Sequence, residues 1–246
     1  MAAKWAAYYR APEPPPWHSG GPCSSLVRLI DSGKCSSGRS SFRVLEAGCG
    51  SGQSLIWLAG LPQRYPSWAE TEVTTLGVDI VPEAIRGCIA AREAARDIDA
   101  LRTSFACADL FELPRPCFRP ADGADAVSPS DSAFFDLVLD VQCFQIFGHE
   151  LREAYVHIVA SNLVAGGHAL VLCGAPPAEA ATAPIAAEEP PWVPGPSVLT
   201  RSELTSYWSS PAFDIVSLVA TRFDPTPYYC TRPQPPPAWE LLVRKR

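Results

Sequence analysis

The sequence predicts an α/β fold: a seven-stranded, mostly parallel sheet with one antiparallel edge strand and helices on both faces. Strand-like and helix-like segments alternate from residue 42 onward, which is the order expected of a parallel sheet with helical connections. The strand-like segments are short and almost continuously apolar, as strands covered on both faces should be. After residue 173 the order becomes helix, strand, loop and strand, and two strands joined by a loop indicate an antiparallel pair at one edge.

The predicted strands are rich in β-branched and other apolar residues and are bounded by polar residues, glycine or proline. In chain order they are residues 42–47, 73–79, 104–107, 134–140, 168–173, 215–220 and 239–243. The first five are separated by helix-like segments or long connections, so we expect their carboxyl ends to meet at one edge of the sheet.

The predicted helices are recognised by their apolar periodicity and by capping residues at their ends. In chain order they are residues 24–30, 51–61, 82–96, 150–162 and 200–207. We expect Ser51 to cap the second helix, and Thr200 with Glu203 to form a capping box on the last one. We expect the fourth helix to stop at Gly166 and Gly167.

Proline, with 26 residues, marks the places where regular structure stops. Residues 1–41 are predicted to form an N-terminal arm that carries several aromatic residues, followed by a polar connector. Residues 42–246 are predicted to form one domain. Two inserts within it, 115–133 and 175–198, are rich in proline and small residues, and we expect these long loops to be flexible.

The composition limits the classes of partner. Apolar residues make up 47% of the chain, which favours a globular protein. The net charge of -6, without a basic stripe, argues against nucleic acid, and no apolar run is long enough for a membrane span. The nine cysteines form no Cys-x-x-Cys pair and no signal peptide is evident, so we expect reduced thiols in a cytoplasmic protein. We also expect a monomer.

The most informative motif is a glycine-rich turn that follows the first predicted strand. Glu46, near the end of that strand, precedes Gly48, Gly50 and Gly52, and a helix-like pattern begins directly afterwards. Glycine has no Cβ, so it allows both a tight turn and the close approach of a ligand to the backbone. The turn therefore predicts a site for a nucleotide-type cofactor.

Two classes of cofactor bind at turns of this kind, and Gln53 helps to distinguish them. A dinucleotide motif requires a third glycine at position 53, where this chain has glutamine. The pyrophosphate of a dinucleotide also disfavours a nearby carboxylate such as Glu46, whereas a cationic ligand is attracted to it. The pattern therefore favours S-adenosyl-L-methionine (SAM), which carries a sulfonium and an ammonium group and no phosphate.

Acidic residues at the ends of the next two strands complete the predicted adenosine site. Asp79, with Ile80 beside it, ends the second strand, where a carboxylate can accept hydrogen bonds from the ribose hydroxyls. Asp109 and Leu110 follow the third strand, where they are placed to meet the adenine amino group and ring. Ligands of open α/β sheets bind at this edge, so these residues are predicted to share one site.

The chain resembles the class I SAM-dependent methyltransferases, which have a Rossmann-like fold, and in particular the thiopurine and thiol S-methyltransferase family. The resemblance rests on the aromatic segment from Trp5 to Trp17, residues 111–114 followed by 135–140, residues 190–194 and residues 237–242. It implies that Trp5 and Trp17 form a lid over the cofactor. It also implies that Asp140, the one candidate catalytic residue, faces the sulfonium or the methyl acceptor.

The chain departs from that family after Asp140. The family often continues with arginine and glycine, or places a histidine a few residues later, whereas this chain has Val141 and Gln142, with Gln145 in place of the histidine. The missing basic group is compatible with an acceptor that ionises readily. We therefore expect SAM-dependent methyl transfer to a small-molecule acceptor, a thiol or another soft nucleophile.

Two alternatives stay open at this point. The first is a methyltransferase that acts on a protein or another macromolecule. The second is a non-catalytic SAM-binding protein whose proline-rich inserts bind a protein partner.

Overall fold

The structure, a computed structural model, describes residues 2–35, 40–96, 98, 102–112, 134–177, 198–229 and 234–246. All seven predicted strands and all five predicted helices lie within these ranges. The insert predicted at 115–133, nearly all of the insert predicted at 175–198, and the segment 190–194 lie outside the described residues.

Seven strands form one mixed sheet. In chain order they are β1 (Ser41–Ala47), β2 (Glu72–Asp79), β3 (Thr103–Cys107), β4 (Phe135–Val141), β5 (Leu163–Gly174), β6 (Phe213–Arg222) and β7 (Pro237–Lys245). Their order across the sheet is β3-β2-β1-β4-β5-β7-β6. Strands β1 to β5 are mutually parallel, while β7 runs antiparallel to both β5 and β6. The predicted mostly parallel sheet is confirmed, and β7 is the reversed strand of the antiparallel pair at one edge.

Helices pack on both faces of the sheet, as predicted for a Rossmann-like fold. They are α1 (Ala2–Arg10), α2 (Ser24–Asp31), α3 (Gln53–Ala59), α4 (Leu61–Arg64), α5 (Pro82–Ala94), α6 (His149–Asn162) and α7 (Arg201–Trp208). One apolar cluster includes residues of α6 and α7, and a second one includes residues of α2, α3 and α5. Among the described residues, no helix is both long enough and apolar enough to cross a membrane.

The central strand β4 shows why its sequence is almost continuously apolar. Six of its seven residues are buried. Val138 belongs to the cluster beneath α6 and α7, whereas Leu137 and Leu139 belong to the cluster on the other side. Successive side chains of a strand point to opposite faces, so a strand covered on both sides needs apolar residues at nearly every position.

Helix α1 was not predicted, and helix α3 begins later than predicted. Residues 2–10 form α1, which has no apolar stripe and buries only Ala6, so its alanine-rich sequence gives little periodic signal. Helix α3 begins at Gln53 rather than at residue 51, because Gly52 has a left-handed φ of 68°. The predicted Ser51 cap is therefore wrong, and the Ser51 hydroxyl lies 3.0 Å from Nδ1 of His18 instead.

The connection after α6 also differs from the prediction. Helix α6 ends at Asn162, but β5 begins at the next residue rather than after a glycine stop. Gly166 and Gly167 lie within β5, near the point where its pairing with β4 shifts register. Glycines inside strands often mark such irregular pairing, and here they do not end a helix.

Thr200 and Glu203 form the predicted capping box at the start of α7. The Thr200 hydroxyl accepts a hydrogen bond from the Glu203 N–H at 3.1 Å, and the Glu203 carboxylate accepts one from the Thr200 N–H at 2.8 Å. The helix that follows buries Leu204 and Trp208 in the core. The capping box therefore fixes the start of α7, which packs on one face of the sheet.

We predict that Thr200→Ala lowers the free energy of unfolding by about 1 kcal/mol, because an N–H in the first turn of α7 loses its acceptor. Urea denaturation followed by circular dichroism measures the change. Ser202→Ala, which truncates an exposed hydroxyl in the same turn, is the matched control and should change the free energy by less than about 0.5 kcal/mol. Equal effects of the two substitutions would contradict the role of the box.

Candidate functional site

A turn of three left-handed glycines follows β1. Gly48, Gly50 and Gly52 have φ angles of 65°, 53° and 68°, in a region that other residues rarely adopt. The Gly52 N–H closes the turn by donating to the Cys49 carbonyl at 2.8 Å. The backbone of this turn therefore requires glycine at each of the three positions.

Three separate segments of the chain fill the space that side chains at these glycines would occupy. A Cβ on the first glycine would lie 2.9 Å from Sγ of Cys143, and a Cβ on the second would lie 3.0 Å from Oη of Tyr9. A Cβ on the third would lie 2.7 Å from the ring of Phe105 in β3. The turn is thus the point where the end of β4, the N-terminal arm and β3 meet.

Asp79, the last residue of β2, holds the turn in place. Its carboxylate accepts hydrogen bonds from the Gly50 N–H at 3.0 Å and from the Val81 N–H at 2.9 Å. Burial raises the pKa of Asp79, and the hydrogen bonds from the backbone oppose that rise. One carboxylate therefore links the glycine turn of β1 to the start of α5.

Glu46 is a buried carboxylate that the protein only partly satisfies. Its side chain is 5% exposed, it lines a cavity beside the turn, and its Oε2 has no hydrogen-bond partner. Burial raises the pKa of Glu46 well above its ordinary value, and the nearby Cys88, Asp140 and Asp79 raise it further. An unpaired buried carboxylate oxygen is costly, so this position indicates a ligand that donates hydrogen bonds or carries positive charge.

The cavity lies at the carboxyl ends of β1, β4 and β5 and beneath the N-terminal arm. Its lining includes Trp17, His18, Glu46, Gly48, Gly50, Gln142, Leu172, Phe223 and Asp224. It holds about 80 Å³, well below the roughly 300 Å³ at which ligand pockets begin. Among the described residues, no group of three or more histidine, cysteine, aspartate and glutamate side chains could hold a metal ion.

The aromatic residues of the N-terminal arm lie directly over the glycine turn. Trp17 donates a hydrogen bond from Nε1 to Oη of Tyr9 at 3.2 Å, and its ring lies 5.5 Å from that of Trp5 in an edge-on arrangement. Burial raises the pKa of Tyr9, and nearby Asp79 adds to the rise. In this conformation the arm closes the site, so a ligand the size of a nucleoside can enter only if the arm moves.

The residues predicted to meet adenosine lie at the carboxyl ends of the neighbouring strands β2 and β3. Asp109 follows β3, and its carboxylate accepts a hydrogen bond from the Phe111 N–H at 2.9 Å. Leu110 is half-buried against the core. Ile80 packs on Ala6 of α1. These residues share one sheet edge with Asp79, and the cavity itself extends in the other direction, towards β4 and β5.

Asp140, the predicted catalytic residue, is buried near the end of β4. Its side chain is 1% exposed and accepts hydrogen bonds from the Cys143 N–H, from the Phe144 N–H and from the Tyr155 hydroxyl. It is absent from the lining of the cavity. Asp140 therefore caps the turn after β4, and both of its oxygens accept hydrogen bonds from within the protein. Its role towards the sulfonium or the methyl acceptor stays a prediction.

The same turn holds two glutamines. Gln145 is 3% exposed, and its Oε1 accepts a hydrogen bond from the Gly174 N–H at the end of β5. Its Nε2 lies 3.5 Å from Oε1 of Gln142. Gln142 lines the cavity with a left-handed φ of 69°, which for a residue other than glycine indicates local strain.

Sequence reasoning assigned no binding role to four residues near this site. The signal for Tyr9 was the concentration of aromatic residues in the arm, and the signal for Gln142 was its place directly after a strand. His18 stands beside Trp17 in the sequence, whereas Asp224 gave no local signal of its own. Asp224 follows β6 and caps the start of α2, accepting a hydrogen bond from the Ser24 N–H at 3.0 Å.

The fold and the site together define a class of protein. A Rossmann-like sheet with a glycine turn after β1 and carboxylates at the ends of β1 and β2 is the arrangement of a protein that binds a nucleoside cofactor. The model of the thiopurine S-methyltransferase family matches residues 1–192 of the chain. The chain belongs to this family and is a SAM-dependent methyltransferase.

Known relatives agree with this assignment. The chain is 26% identical over 199 residues to the 2-heptyl-1-hydroxyquinolin-4(1H)-one methyltransferase of Mycobacteroides abscessus, covering 79% of this chain and 69% of the relative. A solved structure concerned with conversion of a disulfide bond into a thioacetal group during echinomycin biosynthesis superposes with a TM-score of 0.71, at 21% identity, over 100% of this chain and 91% of the other. Magnesium protoporphyrin IX methyltransferase from Synechocystis with bound SAM gives 0.57, at 14% identity, over 91% and 77%.

The cofactor is SAM, and the residues present fit it. Glu46 lines a cavity beside the turn and its buried Oε2 is unpaired, so positive charge nearby would offset its burial. The glycine turn borders the same cavity, whose lining includes Gly48 and Gly50. Asp79 still has lone pairs available after accepting its two backbone hydrogen bonds.

We predict that Asp140→Asn flattens the pH dependence of the free energy of unfolding between about pH 4 and pH 7. Burial raises the pKa of Asp140 from 3.8 to about 7. The folded protein therefore binds more protons than the unfolded chain in this window. Stability is full below the unfolded pKa and is lost as the pH rises towards the folded pKa, by at most about 1.4 kcal/mol per pH unit.

Urea denaturation across that pH range, compared between wild type and variant, measures this contribution. Asp214→Asn, which removes an exposed carboxylate, is the matched control and should leave the slope close to that of the wild type. A variant at position 140 with the wild-type slope would show that this carboxylate is ionised in the folded protein.

Proposed function

We propose that the protein transfers the methyl group of SAM to a small-molecule acceptor, with a thiol or another soft nucleophile as the methylated atom. The observation that carries the proposal is that two side chains around the turn after β4 are occupied by hydrogen bonds within the protein. Asp140 is committed to the turn, and Gln145, where the family places a histidine, is committed to the Gly174 N–H. Neither is free to take a proton from an acceptor, so an acceptor that ionises by itself is favoured.

Thiols meet this condition. A thiol with a pKa of about 8.5 is already a few per cent thiolate near neutral pH, and the thiolate is the reactive form. An alcohol or an amide nitrogen holds its proton more tightly and would need a general base. The absence of a free base after β4 therefore supports a thiol as the proposed acceptor.

We assign the cofactor contacts by position in the sheet. Bound SAM supplies an electrophilic methyl group on a positively charged sulfur. The Gly48, Gly50 and Gly52 turn would contact its methionine part, Glu46 would balance its charge, Asp79 would accept from the ribose, and Ile80, Asp109 and Leu110 would surround the adenine. These roles rest on the strand ends that carry the residues.

The N-terminal arm supplies the remaining contribution, which is the exclusion of water. Trp5, Tyr9 and Trp17 lie over the turn and leave only the small cavity open. A closed arm would keep nucleophile and methyl group in line, and alignment of this kind accounts for much of the rate of a displacement reaction. The arm is therefore proposed as the lid of the site.

A second candidate function is methylation of an acidic hydroxyl on a heteroaromatic ring. The relative from Mycobacteroides abscessus is a methyltransferase for a quinolone that carries a hydroxyl on its ring nitrogen. In this chain His18 lines the cavity, and its Nδ1 lies 3.0 Å from the Ser51 hydroxyl. An imidazole held in this way could accept the proton of such a hydroxyl.

We predict that the protein transfers a labelled methyl group from SAM to members of a panel of thiols, selenols and thiopurines. Product masses identify the methylated compounds. A hydroxyquinolone in the same panel tests the second candidate, and His18→Asn should then lower its turnover relative to that of a thiol by about 100-fold or more.

Other outcomes of the panel distinguish the remaining alternatives. Tight binding of S-adenosylhomocysteine without turnover of any acceptor would contradict the proposed reaction and favour a non-catalytic role. A mass shift on a macromolecule in a lysate, without small-molecule turnover, would favour a macromolecular acceptor.

We predict that Asp79→Ala weakens binding of S-adenosylhomocysteine by about 1–3 kcal/mol, because the ribose hydroxyls and the backbone N–H of the turn lose an acceptor. Isothermal titration calorimetry measures the affinity. Glu70→Ala, which removes an exposed carboxylate just before β2, is the matched control. Unchanged affinity in a folded Asp79→Ala variant would remove this residue from the cofactor site.

A further inference from the structure

Gln142 adopts a backbone conformation that is unusual for its residue type. Among the described residues, it is the only one other than glycine with a positive φ, at 69°. The family often has glycine after aspartate and arginine at this point, and glycine would adopt the same angle without strain. Strain of this kind persists where the side chain has a task, so the environment of the Gln142 amide is informative.

Two linked hydrogen bonds determine the orientation of the Gln142 amide. The Gly174 N–H can only donate, so the atom of Gln145 that it contacts must be the oxygen. The amide nitrogen of Gln145 is then the atom that lies 3.5 Å from Gln142, and it can only donate. The atom of Gln142 that accepts must therefore be its oxygen.

The amide nitrogen of Gln142 is left with two hydrogens to donate. Within the part of the chain that the structure describes, no group accepts a hydrogen bond from it, and Gln142 lines the cavity together with Glu46, Gly48 and Phe223. Gln145, which sets the orientation of the Gln142 amide, is 3% exposed, so its own amide cannot easily rotate by 180°. The backbone of β5 thus orients the Gln142 amide so that its two donors stay unpaired beside the cavity.

We infer that Gln142 determines the choice of methyl acceptor by donating a hydrogen bond to it. The favoured acceptor carries a hydrogen-bond-accepting atom, such as a carbonyl oxygen, next to its nucleophilic atom. This inference rests on the proposed function, because it concerns the acceptor of the same site. A purely structural role for Gln142 would fasten the turn after β4 to β5 without affecting that choice.

Two thiols of similar size test the inference. Methyl 2-mercaptobenzoate has a carbonyl next to its thiol, and 2-ethylbenzenethiol has an ethyl group there. We expect the wild type to favour the ester in kcat/KM by about five- to tenfold, the discrimination typical of one neutral hydrogen bond. Most of the difference should appear in KM, because the bond forms to the bound acceptor and not only in the transition state.

Two substitutions at position 142 separate donation from structure. Gln142→Gly removes the amide and suits the backbone angle, so it should remain folded and lose the preference for the ester. Gln142→Glu replaces the donors by acceptors and should shift the preference towards 2-aminobenzenethiol, which presents N–H groups. Gln63→Glu, the same change at an exposed position of α4, is the control and should keep the wild-type preference.

Binding measurements keep this test independent of the proposed reaction. The same probes are titrated calorimetrically into protein saturated with S-adenosylhomocysteine. If neither thiol is methylated but the ester binds more tightly and Gln142→Gly abolishes the difference, the inference holds and the proposed function fails. The inference is overturned, and the function stands, if both thiols are methylated and the wild type shows no preference for the ester. The same conclusion follows if the folded Gln142→Gly variant keeps the preference of the wild type.

Discussion

The packing of this protein around its site depends on the absence of side chains at one turn. Gly48, Gly50 and Gly52 leave room that Cys143, Tyr9 and the ring of Phe105 occupy, and these residues belong to three distant segments of the chain. A methyl group at any of the three positions would meet an atom at 3.0 Å or less. The turn is therefore a structural junction as well as a surface for a ligand.

Buried carboxylates at the same edge of the sheet show how one residue type serves two purposes. Asp140 accepts three hydrogen bonds from within the protein, which leaves no need for a ligand. Glu46 is similarly buried, but one of its oxygens has no partner. Burial raises the pKa of both groups. The unsatisfied Glu46 is the one that we propose to contact the ligand, because a bound cation or donor would compensate its burial.

The sequence predicts those parts of the fold and site that depend on local pattern. The strands are readable because burial on both faces demands apolar residues, and the glycine turn is readable because its left-handed backbone requires glycine. Helix α1 escapes prediction because it buries only Ala6 and so has no apolar period. Ser51 escapes because the left-handed Gly52 delays the helix. The hydrogen bonds of Asp140 are not readable from the sequence because its partners, above all the Tyr155 hydroxyl, come from tertiary packing.

The difference between local sequence pattern and tertiary packing explains why family membership defines the cofactor more closely than the acceptor. The proposed cofactor contacts lie at positions that the fold itself provides, namely the glycine turn and the ends of adjacent strands. The orientation of the Gln142 amide instead depends on Gln145, and that of Gln145 depends on a backbone N–H of β5, 29 residues further along the chain. A local motif cannot encode a relation of this length. Substitutions at two or three side chains can therefore change the acceptor while the fold and the cofactor site stay the same.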